Sequence, residues 1–436
     1  RSSLPVLVEL VVQMVTQLID MAMVGRLGVE AIAATGLANL SLMVGQGVLT
    51  GLSIGTMALV ARYTGAEEGD LAKRVNHQSL LVSGTLAALL CAFMFIYARH
   101  IMAILGAESE VVILGTSYLR YILPGFAVFL TTIPLSGALR GAGDAVTPMK
   151  ISIVLHVVKL IGNWILIYGK MGCPALALDG AAISWTLSRA VAGMLFFYTL
   201  RDRACPVSIF PIAPVDFLRV DTTVVKRLLR IAVPAILERV ALSLGMVVYG
   251  SMIADLGTEV YAAFNIANTT ESLSYMPGQS FQTAASATVG HYVGAGEYGG
   301  AKRSVKEAAK MCIATMGTMA LAFFLVPQYL VQMFTADPEI IRLSSMALRV
   351  AAFGQVPMGL AGICSGSLQG AGDTQAVMYV TLFSVWVVRL GVTYLLVNVG
   401  GLGLSGAWLA QVVDWLVRCG CLRYRFGLGQ WEQVEV

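Results

Sequence analysis

Apolar stretches of about twenty residues alternate with short polar ones from the first few positions to residue 418. A run of that length, wound as a helix, crosses the ~30 Å of a bilayer's hydrocarbon core. Counting such runs predicts twelve helical spans: 4–24, 31–61, 79–98, 111–138, 151–168, 180–200, 231–254, 260–290, 307–326, 343–368, 376–398 and 403–418. Inside lipid each backbone amide must find its partner within its own segment, so spans of this kind are helices. The chain opens at Arg1 without an initiator Met and turns apolar almost at once, which implies a short preceding piece. The first span is too long to be a cleaved signal peptide, and a later segment matches it.

Composition agrees with the pattern. Hydrophobic residues make up 57% of the 436 and charged residues 12%, with a mean hydropathy of +0.77, whereas a soluble domain carries about 25% charged residues. The expected fold is therefore an all-α polytopic membrane protein. Lys and Arg crowd alternate loops: Arg62, Lys73 and Arg74; Arg140 and Lys150; Arg201, Arg203, Arg219, Lys226, Arg227 and Arg230; Lys302, Arg303 and Lys306; Arg423 and Arg425. The opposite loops offer little beyond Arg26, Arg99 and Lys170. The bias places the rich loops and both termini in the cytoplasm, so the net charge of +4 reports orientation rather than nucleic-acid binding. Seven scattered cysteines show no metal or disulfide spacing, and small buried thiols account for them.

One phrase occurs twice, SGALRGAGD from residue 136 and SGSLQGAGD from residue 365, an offset of 229. The same offset pairs Pro5 and Glu9 with Pro234 and Glu238, Leu27, Gly28 and Glu30 with Leu256, Gly257 and Glu259, and Asn39 with Asn268. It also pairs Gly65 with Gly294, Ala72-Lys73-Arg74 with Ala301-Lys302-Arg303, and Arg120 with Arg349. An ungapped register over such a distance marks two homologous halves. Six spans per half is an even number, so both halves enter from one side as parallel repeats. Transporters that alternate access around a central site are built this way. The expected organisation is an N-terminal lobe over 1–200, a cytoplasmic linker over 201–230, a C-terminal lobe over 231–418 and a cytoplasmic tail over 419–436.

Ionisable groups within hydrocarbon are costly and therefore functional candidates. In the first span Glu9, Gln13, Thr16, Gln17 and Asp20 fall within an arc of about 100° on a helix of 100° per residue, one polar stripe. Such a seam either serves function, Asp20 above all, or glues helices together. In the fifth span Lys159 and Asn163 share a face beside His156, and Lys159 is placed to pair with Asp20 or Glu9. The second half departs here: Glu238 keeps the place of Glu9, but Tyr249 replaces Asp20. Polarity moves to the eighth span, where Glu271 lies near mid-depth, Pro277 predicts a kink, and Tyr275, Gln279 and Gln282 could line a cavity. Arg389 and Asp414 are read as a mutual pair. The asymmetry suggests ion coupling in the first half, with substrate contact in the second drawing on Glu238, Glu271, Tyr275, Gln279 and Tyr249.

The strings LIDMAMVGRLG, ARYTGAEEGDLAKR, LRGAGDAVTPM and NWILIYGKMG, together with twelve spans in two halves, resemble the multidrug and toxic compound extrusion (MATE) family. The resemblance implies two six-helix lobes and an antiporter of the cell membrane. Such a protein exports organic, often cationic and amphipathic compounds against inward H⁺ or Na⁺, as a monomer and without a bound cofactor. It implies that Asp20 is the family's first-helix acid and that Pro5 is the proline at which that helix bends. Two departures accompany it. Asn163 stands where some members place a second acid, with Lys159 as its polar neighbour, so a Na⁺ at Asp20 and Asn163 would face a resident ammonium; this favours H⁺. The seventh-helix acid of another branch aligns with Leu242, one turn after Glu238.

Two rival readings come from other classes. A flippase of lipid-linked intermediates would use Lys159, Arg389 and Arg120 as a basic pocket. An intramembrane enzyme would use GLSIG at 51–55, a serine-hydrolase pattern that here lies inside a span rather than on a strand-to-helix elbow. The twin GAGD strings lack a preceding strand and a P-loop Lys-Ser/Thr. Their glycines are expected to end a helix in a tight turn, and the Ser-Gly pairs before them to pack helices closely.

Overall fold

The computed structural model describes every residue except 1–2, 26, 28, 105–108, 173, 203–204, 210–218 and 435–436. Arg26, Gly28 and Arg203, used above for orientation and register, lie outside the described residues. Among the described residues the chain is helical, with no strand. Six long helices form the first half: α1 (Ser3–Gly25), α2 (Val29–Gly65), α3 (Gly69–Ile104), α4 (Ser109–Gly141), α5 (Val146–Tyr168) and α6 (Ala177–Arg201). The second half contributes α7 (Thr222–Ala254), α8 (Thr258–Gly294), α9 (Tyr298–Leu325), the short α10 (Pro327–Gln332), α11 (Pro338–Gly370), α12 (Thr374–Val399) and α13 (Gly403–Gly427). Each expected span coincides with one long helix. The helices run on past the apolar windows because their polar ends stay helical in water, where hydropathy no longer marks them.

Ten of these helices are long and apolar enough to cross a membrane; α8 and α13 fall short. Those two are the helices that carry Glu271, Gln411, Asp414 and Arg418, all buried inside the second half. Their polar side chains face protein, so the spans lose apolar character without exposing charge to lipid.

The chain divides into two compact units, residues 1–232 and 233–436, with the boundary inside α7. In the first unit the described part of the connection after α6 packs onto α3. Asn76 donates to the Val207 carbonyl (2.7 Å) and Gln78 to that of Arg219 (2.9 Å), and Val207 is fully buried. In the second unit α13 runs to Gly427, beyond the expected end at 418, and a 3₁₀ turn (Gln430–Gln433) follows it. Trp431 there is buried, stacked 4.9 Å from Phe426, and Glu432 pairs with Lys302 at 2.7 Å.

The offset of 229 holds in three dimensions. α2 and α8, like α4 and α11, have bounds related by it, and α2 on α4 and α11 on α8 are the most extensive helix contacts of the two units. Gly143 and Gly372 both take φ +93°. In each turn the following Asp N–H reaches back 2.9 Å to a leucine carbonyl, Leu139 or Leu368. Only glycine adopts that conformation without strain. A Cβ at Gly137 would enter the space of Ser53, and one at Gly366 that of Gln282, the residues 229 apart on the facing helices. The repeated phrase is thus a packing and turning device, as its composition predicts. Its aspartates differ: Asp144 accepts from the Val146 and Thr147 amides and caps α5, whereas Asp373 pairs with Arg425 at 2.9 Å.

Candidate functional site

On α1 the polar stripe splits. Thr16 is buried and donates to the Val12 carbonyl, and Glu9 and Asp20, which lie 20° and 40° round the helix from it, find partners. Gln13 and Gln17 turn away from that side and are exposed. Gln17 therefore stands apart from the Asp20 cluster.

Helix α5 supplies the other side. Its face carries Lys159 and Asn163 one turn apart, and it lies close on α6 because a Cβ at Gly162 would crowd Ser184. The Asp20 carboxylate receives Lys159 Nζ on Oδ2 at 2.8 Å and Asn163 Nδ2 on Oδ1 at 2.5 Å. Lys159 and Asn163 are buried, and Asp20 keeps about a quarter of its side chain exposed. The backbone carbonyl of Lys159 is held in turn by Ser184 Oγ at 2.8 Å. Asn163 Oδ1 is buried without a hydrogen-bond donor. The arrangement sets one carboxylate of α1 between a cationic and a neutral donor of α5, so this single side chain links the two helices.

A second pair sits lower on α1. Glu9 accepts from Arg140 Nη2 at 2.6 Å, so the arginine of the first GAGD phrase is a partner for the first helix as well as a marker of orientation. The twins behave alike, since Glu238 accepts from Gln369 at 3.1 Å and also from Thr381 at 3.1 Å. The signal that would have found Arg140 was present in the repeat: Glu9 and Arg140 map by the offset onto Glu238 and Gln369. Pro5 lies one turn before Glu9 on α1 and is partly buried.

The second unit holds two polar knots. In one, Glu271 accepts from Gln355 (3.1 Å) and Gln411 (2.8 and 3.0 Å), with Ser274 bonded to Gln355. In the other, Asp414 is fully buried between Arg389 (2.5 Å) and Arg418 (3.0 Å), and Ser384 also donates to it; the expected pair is in fact a triad. Tyr249 is fully buried with its hydroxyl on the Ala407 carbonyl (2.8 Å), and Glu271 is buried against its glutamines; neither is among the residues that line the cleft of this unit. Glu238, Tyr275 and Gln279 do line that cleft, with Arg239, Gln282, Ser365, Trp415 and Arg418 among their neighbours. Sequence reading missed Arg239 and the glutamines at 355, 369 and 411, because a lone polar residue in a span does not announce which helix it meets.

Two homologous helical repeats, each closed around buried ionisable groups, define a polytopic membrane transporter. The MatE family profile matches residues 5–165 and again 234–395, two segments that begin 229 residues apart. The chain belongs to the MATE family and is a transporter, not an enzyme. A probable multidrug resistance protein, NorM, of Thermotoga maritima is 28% identical over 437 residues, covering 100% of this chain and 93% of that one. Another, YoeA of Bacillus subtilis, is 24% identical over 99% of this chain and 93% of its own. Among solved structures, a MOP-superfamily transporter of Pyrococcus furiosus, described as having a binding pocket of reverse polarity, superposes with a TM-score of 0.90. Its identity is 25%, over 99% of this chain and 95% of that one. A MATE structure in a bent conformation matches equally well, at a TM-score of 0.90 and 25% identity, covering 99% and 95% of the two chains.

Proposed function

We propose that this multidrug efflux transporter is an H⁺-driven antiporter that exports amphipathic organic compounds across the cell membrane by alternating access, with Asp20 as the proton site. Relatives named as multidrug resistance proteins support the substrate class. The observation that carries the choice of ion is the Lys159 ammonium 2.8 Å from Asp20. A Na⁺ ion arriving there would meet a fixed positive charge, and in a medium of low dielectric that repulsion is severe. A proton meets no such obstacle, because it binds the carboxylate and removes the charge the lysine was answering. α1 is then held chiefly by the Glu9–Arg140 pair, and a proline near its start permits a bend there. Energy comes from the ion gradient, with no bound cofactor; both termini face the cytoplasm and the working unit is the monomer.

Lys159 and Arg389 are both committed to carboxylates, which removes two of the three basic groups on which a lipid-flippase reading rests. The test is export of a fluorescent drug from proteoliposomes under separate pH and Na⁺ gradients. Export is expected with a pH gradient alone and to be lost in Asp20→Asn, whose melting temperature stays near that of the wild type. Strict Na⁺ dependence would overturn the proton assignment.

A further inference from the structure

The cleft of the second unit draws its walls from five helices: α7 (Glu238, Arg239, Leu242), α8 (Tyr275, Gly278, Gln279, Gln282), α11, α12 (Thr381) and α13 (Trp415, Arg418). Its free volume is about 80 Å³. That is several times the ~10–15 Å³ a single water requires, so it admits a ligand group.

Most polar groups on its walls are already engaged. Glu238 accepts from Gln369 and Thr381, Arg418 donates Nη2 to both oxygens of Asp414, and Gln282 reaches Ser365 and Gln369. Two donors are not. Arg239 has no hydrogen bond or ion pair through its side chain among the described residues, and its Nε is buried. The indole Nε1 of Trp415 is likewise buried without an acceptor. Orphaned buried donors are rare, and a guanidinium within a membrane span is costlier still. The fold does not require it, because the position equivalent by the offset in the first half is Leu10. Glu238, its neighbour in sequence, spends its oxygens elsewhere and forms no ion pair with it.

We propose that this cleft is a subsite for the carboxylate of an aromatic, amphoteric or anionic substrate. Arg239 is its counter-ion, and Tyr275 offers a flat, partly exposed face to the substrate's ring. The guanidinium fork matches a planar carboxylate in two parallel hydrogen bonds, which a lysine could not reproduce. A guanidinium without a carboxylate partner selects for an anionic acceptor, and its desolvation is compensated only when one arrives. The inference rests on the exporter reading only for what the bound group belongs to.

Binding is tested on purified protein in nanodiscs of zwitterionic lipid, using 2-naphthoate and its neutral analogue 2-naphthamide. The wild type is expected to favour the acid by tenfold or more. In Arg239→Gln that ratio falls toward one while the amide binds as before, which shows the cleft intact; Arg239→Lys restores part of it. Equal binding of acid and amide by the wild type, or an unchanged ratio in Arg239→Gln, overturns the subsite. Displacement of naphthoate by added phosphatidylglycerol, dependent on Arg239, would also overturn it by assigning the site to lipid head groups. Discrimination in binding without drug export in vesicles leaves the subsite standing and sinks the exporter reading alone.

Discussion

Asp20 shows how one side chain's surroundings decide its chemistry. Its two anchors come from α5, one charged and one neutral, and each reads differently when removed. In Lys159→Gln the fixed ammonium is gone, while Asp20 and the buried, unanswered Oδ1 of Asn163 remain as oxygen ligands. Hard oxygen donors without a resident cation suit an alkali metal ion, so this variant is expected to gain Na⁺ stimulation of export that the wild type lacks. Transport in proteoliposomes at fixed pH with and without Na⁺ checks it; indifference of both proteins to Na⁺ would mean that Lys159 is not what excludes the ion. A smaller effect sits at the α2–α3 turn, where Glu67 takes φ +62° while its repeat partner is Gly296 at φ +72°. An L residue with a side chain is strained in that region by about 1–2 kcal/mol, and glycine returns part of the relief as extra freedom of the unfolded chain. Glu67→Gly is expected to raise stability by roughly 0.5–1 kcal/mol, read as a higher melting temperature.

At the scale of elements, α1 is the helix least embedded in its unit, since it packs mainly on α5 and leaves most of its side chains open. Two ionic contacts, Glu9–Arg140 and Asp20–Lys159, therefore weigh heavily in where it sits. If α1 bends at Pro5 on protonation of Asp20, as proposed, Glu9 is carried relative to Arg140 and the lower pair would resist that motion. Glu9→Gln and Arg140→Gln should each make cysteines placed along α1 more reactive to a water-soluble maleimide. The double variant should add little, a coupling of roughly 1–2 kcal/mol in the two-site cycle. Strictly additive effects would mean the pair does not hold the helix. In the second unit the corresponding contact is an amide on a carboxylate, and the α12 backbone turns π-helical at Phe383–Arg389, where Ser384 and Arg389 meet Asp414. π-helical turns gather at functional sites because they re-aim side chains without ending the helix. Nothing in the local sequence foretold these, since the extra residue per turn is repaid by tertiary contacts.

For the whole molecule, the division into two repeats was legible before any coordinate, and so was the pairing of Asp20 with Lys159 as one of two options. Glu9 was the other option, and choosing between them needed the packing of α1 on α5 and of α4 nearby. Glu271 and Tyr249 were legible as polar groups within spans, yet whether they face a cavity or protein depends on which neighbours close over them. Gln355 and Gln411 do so for Glu271, from positions 84 and 140 residues further along the chain.

The sequence by itself determined the membrane, the twelve helices, the repeat and the acid without a twin. Each of these follows from local hydrophobicity or from comparing the chain with itself. Tertiary structure alone decided which charges are answered and which are not. That Arg389 and Lys159 are neutralised while Arg239 is left facing a cleft depends on helix rotation and on side chains that meet across long sequence separations. In a low-dielectric interior, a few ångströms of such placement separate a structural ion pair from a binding site.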